Sequence, residues 1–398
     1  MPIYHVPPIF ADDAPPAGLY IHIPFCLKKC PYCDFYSITD LSLQPLFTDA
    51  LISEMHMLGK TGLVFDTLYI GGGTPSVLDN VSLEKIITTA RQCFDVSSDA
   101  EMTIEVNPGT VTLDQMKHYR RIGVNRINIG VQSFNPENLG FLGRIHSDRD
   151  AETAVKWAQN SGYKNIGLDL IYGIPGQTDA SWLKDLKTAV DFRPQHLSCY
   201  MLSYEPDTPL YNDLKNKIFT PLSEQRICGM YETTVAFLSA HRYVQYETSN
   251  FAMEIAGNSD TKDALRHASR HNMKYWNFIP YIGLGPSAHS FIRQKRFWNH
   301  SSVEKYIEEL AAGRLPRAGE EVLSREQQWI EAVYLGLRQT KGIDVGRFKE
   351  KFGVNLTAKY AGVIADLEGK GLIKMSQNRC ALTSKGMLYL DSIAAQFI

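Results

Sequence analysis

Cys26-Leu27-Lys28-Lys29-Cys30-Pro31-Tyr32-Cys33 gathers three thiols on one short stretch, directly after the apolar run Leu19-Tyr20-Ile21-His22-Ile23. The run predicts a strand, and the cysteines the loop into which it opens. Three thiolates on such a loop hold three corners of a cubane 4Fe–4S cluster, whose protein ligation normally takes four cysteines. One iron is then left open to a small chelating ligand. A zinc knot is the competing chemistry, but it usually wants four ligands in two pairs. Here no second Cys pair exists, and His22 and Asp34 would have to complete a mixed site. Structural disulfides fare no better, because the seven cysteines form no even framework. The odd count and the lack of a secretory leader point to a reducing, cytoplasmic compartment.

The elements that must place this loop are legible as an alternation. Apolar runs predict strands over 19–23, 67–70, 102–106, 126–131, 165–172 and 195–201, with helical spacing between them over 43–58, 83–93, 113–122, 150–161 and 181–192. Strand-helix repetition implies a parallel sheet with crossover helices, an α/β fold. Ile166-Gly167-Leu168-Asp169-Leu170-Ile171 is apolar enough for a strand covered on both faces. With 398 residues the chain has room for two or three domains. Residues 1–18, rich in Pro and Ala, read as a loosely ordered lead-in. Net charge is −2, which gives no pull toward nucleic acid or an anionic surface. No apolar run approaches the roughly 18 residues that a bilayer span requires, so contact with a membrane would be transient.

Each strand end carries something polar or glycine-rich. After the first comes the cysteine loop, and after the second Gly71-Gly72-Gly73-Thr74-Pro75. The third ends in Glu105-Val106-Asn107-Pro108, the fourth in Gln132-Ser133-Phe134, and the fifth contains Asp169 before Gly173-Ile174-Pro175-Gly176. Strand C-termini in a parallel barrel share one mouth, where such folds do chemistry. The glycines alone would signify only a tight turn; beside a cluster loop they would let backbone approach a ligand. Glu105 and Asp169 are acids inside apolar runs and need partners, which ribose hydroxyls would supply. Arg144 is either a solvated charge or a fork for a carboxylate.

Together the cysteine loop, Gly71 to Pro75, Ile104 to Pro108, Gly130-Val131-Gln132-Ser133-Phe134 and Asp169-Leu170-Ile171-Tyr172-Gly173-Ile174-Pro175 resemble the radical S-adenosylmethionine (radical-SAM) superfamily. The branch they resemble contains oxygen-independent coproporphyrinogen III oxidase and a group of heme chaperones. The resemblance runs from about Leu19 to the C-terminus. It implies an incomplete (β/α)6 TIM-like radical-SAM barrel with a C-terminal, mostly helical, winged-helix-like domain. It implies Cys26, Cys30 and Cys33 as cluster ligands, with the open iron taking the amino and carboxylate groups of SAM. Tyr20 and Tyr32 would lie against cluster or SAM, and Gly72, Gly73 and Thr74 would contact the methionyl end. Glu105, Gln132 and Asp169 would hold ribose or nearby polar atoms, and Arg144 would pair with a carboxylate. Some members of the branch hold two SAM molecules.

One position divides the branch. The oxidase pattern places a fourth cysteine two residues after the third; here Asp34 is followed by Phe35. Little precedes Tyr20 to build a substrate pocket. Both departures favour a chaperone that binds heme and delivers it to heme-requiring proteins, over a coproporphyrinogen dehydrogenase. His271-Asn272-Met273-Lys274-Tyr275-Trp276 matches the His-Asn-x-x-Tyr-Trp motif of the chaperone group. Imidazole is a normal axial ligand for heme iron, and the two aromatics supply flat apolar area; the plain alternative is a solvated histidine in a polar loop. The stretch 255–269 before it reads as a mobile insertion. His289, in Gly283-Leu284-Gly285-Pro286-Ser287-Ala288-His289, reads as a packed core histidine before a second ligand, and Cys93, Cys199, Cys228 and Cys380 as core residues.

The domains expected are a lead-in over 1–18, the partial barrel over 19–215, a connecting region over 216–300 and the winged-helix-like domain over 301–398. In the last, Ser324 to Gln327 forms a capping box before a helix. Helices follow over 342–352 and 360–370, then a short hairpin and a final helix. Winged helices often bind DNA, but no basic stripe stands out here, and a domain packing over the barrel is the better reading.

Overall fold

The computed structural model describes residues 15–255, 265–376 and 378–397. The described chain divides into two units. The first takes the residues up to Asp169, with Ser203–Thr220 and Ile279–Glu321; the second takes Leu170–Leu202, Pro221–Phe278 and Val322–Ile398.

The strands, in chain order, are β1 (Ala17–Ile23), β2 (Val64–Gly72), β3 (Asp95–Val106), β4 (Arg126–Gln132), β5 (Ile166–Tyr172) and β6 (His196–Met201). They alternate with helices α1 (Gln44–Leu58), α2 (Asn80–Cys93), α3 (Leu113–Arg121), α4 (Pro136–Phe141), α5 (Asp148–Asn160) and α6 (Asp179–Asp191). This is the run of an incomplete (β/α)6 barrel. In the first unit β1, β2, β3 and β4 pair in parallel in that order. Four later strands extend it beyond β1: Tyr281–Leu284 joins β1 in parallel, His289–Ile292 and Lys295–Asn299 follow antiparallel, and Arg317–Val322 is outermost.

Residues alternate across a strand, and here the alternation separates two chemistries. One face is apolar and buried: Leu19, Ile21 and Ile23; Leu68 and Ile70; Met102, Ile104 and Val106; Ile127, Ile129 and Val131; Leu168. Burying each such side chain contributes about 1.5–3 kcal/mol. The other face carries Tyr20 and His22, Thr67 and Tyr69, Glu101, Thr103 and Glu105, Arg126, Asn128 and Gln132, and Asp169. Parallel register aligns these in rows, with Tyr20 beside Tyr69, Tyr69 beside Thr103, and Glu105 beside Asn128. Ile166 to Ile171 is covered on both faces as expected, with Gly167 and Asp169 on the polar side.

In the second unit β6 pairs antiparallel with Asn250–Met253, which pairs with Tyr243–Gln245. Its C-terminal part holds α-helices Arg325–Leu337, Val345–Phe352 and Ala361–Gly369, and a three-stranded sheet of Ile343–Asp344, Arg379–Leu382 and Ile373–Ser376. The expected capping box is formed: Gln327 N–H donates to Ser324 Oγ at 3.2 Å, and Ser324 N–H to Gln327 Oε1 at 2.7 Å. The helix Val303–Ala311 falls in the first unit. No described helix is long and apolar enough to cross a membrane.

Candidate cluster and nucleoside site

The cysteine loop leaves β1 and is closed by its own backbone. Cys26 N–H donates to Ile38 C=O at 2.9 Å, and Ile38 N–H to Pro24 C=O at 2.7 Å. Within the loop Cys33 N–H donates to Cys30 C=O at 3.2 Å, and Leu210 N–H donates to Pro31 C=O at 2.9 Å. All three thiols are unoxidised and half-buried. Cys26 Sγ lies 3.3 Å from Thr74 Oγ1, and Arg144 Nη1 donates toward Cys30 Sγ at 3.5 Å. Burial pushes the Cys33 thiol up, and the charges of Cys30 and Cys26 add to it. A hydroxyl beside Cys26 and a guanidinium donor turned toward Cys30 suit thiolates carrying the negative charge of a cysteine-ligated iron-sulfur cluster. His22 does not join them. Its Nε2 donates to Tyr36 C=O at 2.9 Å and its Nδ1 accepts from Tyr20 OH at 3.1 Å. Burial, opposed by that carbonyl, lowers its pKa to about 4, so it is a neutral spacer with both nitrogens engaged.

The glycine turn packs directly on this loop. A Cβ on Gly73 would lie 2.8 Å from Phe25 O and 3.0 Å from Ile23 O, and one on Gly72 would lie 2.6 Å from the His22 ring. Gly72 also has φ +108°, open only to glycine. The close approach is therefore between two pieces of backbone: Gly73 N–H donates to Ile23 C=O at 2.8 Å and Thr74 N–H to Phe25 C=O at 2.7 Å. The turn clamps the end of β1 and so sets where Cys26 stands.

Along the row of strand ends, Tyr69 OH donates to Glu105 Oε1 at 2.6 Å and Gly72 N–H to Glu105 Oε2 at 3.3 Å. Burial pushes the Glu105 carboxyl up to about 7; Tyr69 opposes the rise and Asp169 adds to it. Asn128 Nδ2 donates to Asp169 Oδ2 at 2.6 Å. Gln132 ends β4 at φ +66°, a left-handed conformation that costs a non-glycine residue about 1–3 kcal/mol and tends to occur at functional sites. Arg144 follows α4 and is no solvated charge: Nη2 donates to Gly130 C=O at 3.0 Å and Nη1 to Tyr32 OH at 3.5 Å. Burial works against its charge, but Tyr32 and Cys30 outweigh it and hold the guanidinium protonated. Its Nε is buried with no hydrogen-bond partner. Tyr20 stacks on Tyr69 with ring centroids 6.2 Å apart.

The first unit thus brings Tyr20, Cys26, Cys30, Tyr32, Cys33, Gly72, Gly73, Thr74, Glu105, Gln132, Arg144 and Asp169 onto its strand ends. A dense set of sulfur, carboxylate and guanidinium groups there can hold a cluster beside a polar nucleoside. The residues fit the group. What was missed is Tyr69, in register with Tyr20, Asn128, in register with Glu105, and Arg126 two residues before it; the signal was the period-two spacing of Arg126, Asn128, Gly130 and Gln132.

His271 lies in the second unit. Residues 256–264 of the insertion lie outside the described residues. After it, Ser269 Oγ accepts from Asn272 N–H and starts the helix Arg270–Trp276, so His271 sits on a helix rather than in a polar loop. It is 1% exposed, with Nε2 2.9 Å from Tyr275 OH. Within the same unit Gln339 Nε2 donates to Trp276 C=O at 2.8 Å, and Arg338 stacks over the Trp276 ring at 4.4 Å while pairing with buried Glu247 at 2.6 Å. His289 is not a core residue: it is exposed and stacks on Trp298. Cys93, Cys199 and Cys380 are buried as expected, and Cys228 only half-buried.

Comparison with known proteins agrees with this arrangement. The model of the radical SAM superfamily matches residues 20–189, and that of the HemN C-terminal domain residues 323–389. The heme chaperone HemW of Bacillus subtilis is 36% identical over 385 residues, which is 95% of this chain and 98% of that protein. HemW of Escherichia coli is 38% identical over 69% of this chain and 70% of its own length. Among solved structures, the coproporphyrinogen III oxidase HemN of Escherichia coli, a radical SAM enzyme, superposes with TM-score 0.82 at 26% identity, covering 96% of this chain and 90% of that one. Matched by both family models and by a relative 36% identical over nearly its whole length, the chain belongs to the HemW family of the radical SAM superfamily.

Proposed function

We propose that this protein is a heme chaperone: it binds heme and passes it to heme-requiring proteins in the cytoplasm, and it carries a 4Fe–4S cluster that binds SAM. The observation that carries the reading is Asp34-Phe35 directly after Cys33, where a porphyrinogen oxidase would place its fourth cysteine. The relatives named heme chaperone, similar over nearly the whole chain, support it.

Cys26, Cys30 and Cys33 hold the cluster in this reading. When bound, it supplies one open iron for the amino and carboxylate groups of SAM. Arg144, kept cationic by its surroundings, pairs with the SAM carboxylate. Gly72, Gly73 and Thr74 line the methionyl end, Tyr20 and Tyr32 flank it, and Glu105, Gln132 and Asp169 accept from ribose hydroxyls or nearby polar atoms. Heme is cargo, taken through His271 with Tyr275 and Trp276 beside it. The partners are SAM, heme and the acceptor proteins, not nucleic acid.

The test uses anaerobically reconstituted protein. Coproporphyrinogen with SAM and a reductant should give no protoporphyrinogen, and heme titration should give a Soret band that weakens in His271→Ala. Turnover to protoporphyrinogen without heme binding would establish the dehydrogenase reading instead.

A further inference from the structure

Strand β4 carries two polar side chains to which the reading above gives no task. Arg126 is among the largest fully buried side chains, 1% exposed, and Asn128 is 5% exposed. A buried guanidinium and a buried amide are costly unless they hold something. Both share the polar face with Glu105 and Asp169, and Glu105 is in register with Asn128. Asn128 Nδ2 donates to Asp169 Oδ2 at 2.6 Å, while Asn128 Oδ1 is buried with no hydrogen-bond partner. That oxygen stands over Gly167, two residues before Asp169 on the same side of β5. A Cβ on Gly167 would collide with Asn128 Oδ1 and lie 3.3 Å from Arg126 Nη2. The missing side chain therefore makes the room in which Asn128 reaches Asp169.

We propose that Asn128 is a positioning residue of the nucleoside site, acting on the ligand only through Asp169 by fixing the plane of that carboxylate. A carboxylate's terminal torsion is broad, so an unheld Asp169 would present many orientations to a diol. Held by a short N–H donor, it presents one, and the ordering is done before the ligand arrives. The inference rests on Asp169 as a SAM contact.

Equilibrium SAM binding to the anaerobically reconstituted full-length protein tests it. Asn128→Ala removes the donor, and Asn128→Asp keeps the size while replacing the donor with an acceptor. Each is expected to weaken SAM binding roughly tenfold, with iron and sulfide content unchanged. Asp169→Asn alone is expected to weaken it at least as much. The double variant Asn128→Ala/Asp169→Asn is expected to bind no more weakly than Asp169→Asn, because nothing is left to position. Additive losses, or unchanged affinity in both Asn128 variants beside a weakened Asp169→Asn, would overturn the positioning role. Wild-type affinity in Asp169→Asn would instead overturn the reading of Asp169 as a SAM contact.

Discussion

Arg144 Nη1 stands 3.5 Å from Cys30 Sγ and 3.5 Å from the Tyr32 hydroxyl, joining the turn after α4 to the cysteine loop. The same guanidinium anchors on Gly130 C=O through Nη2. It is thus fixed at one end of its fork and turned toward sulfur at the other. A planar fork on a carboxylate is not reproduced by an ammonium. Arg144→Ala should weaken SAM binding roughly 10- to 100-fold, the range for a charge-assisted hydrogen bond, and Arg144→Lys should recover only part of it. Iron content should remain at the wild-type level in both. SAM titration with parallel iron analysis checks this, and loss of iron in Arg144→Lys would mean the residue holds the loop instead.

Cys30→Ser should lose most iron and sulfide after anaerobic reconstitution. An alkoxide-poor serine offers no thiolate to the third corner, and Arg144 is then left beside a neutral hydroxyl. Retention of a full cluster, read from iron, sulfide and the absorbance near about 400 nm, would contradict the assignment of the trio.

The strand order and the chemistry at each strand end were readable because buried parallel strands and glycine turns leave strong local patterns. Boundaries moved where a cap decided them. Helix α2 starts at Asn80 rather than 83 because Asp79 accepts from Ser82 N–H. Strand β3 starts at Asp95 rather than 102 because its first residues pair with Val64 and Phe65, a partnership fixed by register and not by composition. Arg126 and Asn128 are written in the period-two polar positions of Arg126-Ile127-Asn128-Ile129-Gly130-Val131-Gln132, but no turn residue marks the middle of a strand as glycines and prolines mark its end. What takes His22 out of the discounted mixed zinc site is a hydrogen bond to a backbone carbonyl fourteen residues away, which no motif announces.

Gly73→Ala should destabilise the fold. The added Cβ meets two backbone oxygens, at 2.8 and 3.0 Å, which cannot rotate away as a side chain would. Forcing them apart strains the Ile23–Gly73 and Phe25–Thr74 hydrogen bonds that place the cysteine loop. A loss of about 1–3 kcal/mol is expected, in the range of overpacking, accompanied by lower iron retention. Denaturant unfolding of the wild-type and variant proteins measures the first, and iron analysis the second. A variant as stable as wild type would show that the turn yields.

Were the proposed heme uptake to use His271 Nε2, iron would meet a nitrogen that lies 2.9 Å from Tyr275 OH. Ligation through that nitrogen must break the contact, so the hydroxyl competes with iron. Tyr275→Phe should therefore bind heme at least as tightly as the wild type, while His271→Ala should lose the Soret band. Heme titrations on both variants check this. Weaker binding in Tyr275→Phe would mean that the hydroxyl orients the imidazole instead of occupying it.

Glu54 in α1 is 2% exposed and receives Gly285 N–H at 2.9 Å and Tyr306 OH at 2.6 Å on Oε2, and Asn299 Nδ2 at 2.6 Å on Oε1. Burial nevertheless outweighs these donors and pushes its carboxyl up to about 7 from an ordinary 4.5. The folded chain then holds this proton more tightly than the unfolded one. The stabilisation is complete below the unfolded value of 4.5 and is lost as pH rises through about 7. Glu105 contributes with the same sign over the same window. His22 and His146, both pushed down to about 4 by burial, work with the opposite sign below 6.5, so the Glu contribution is read as a difference from wild type. In denaturant unfolding at steps from about pH 5 to pH 8, Glu54→Gln and Glu105→Gln, which cannot ionise, should each gain stability relative to wild type as pH rises. A pH slope unchanged from wild type in both variants would place the titrating protons elsewhere.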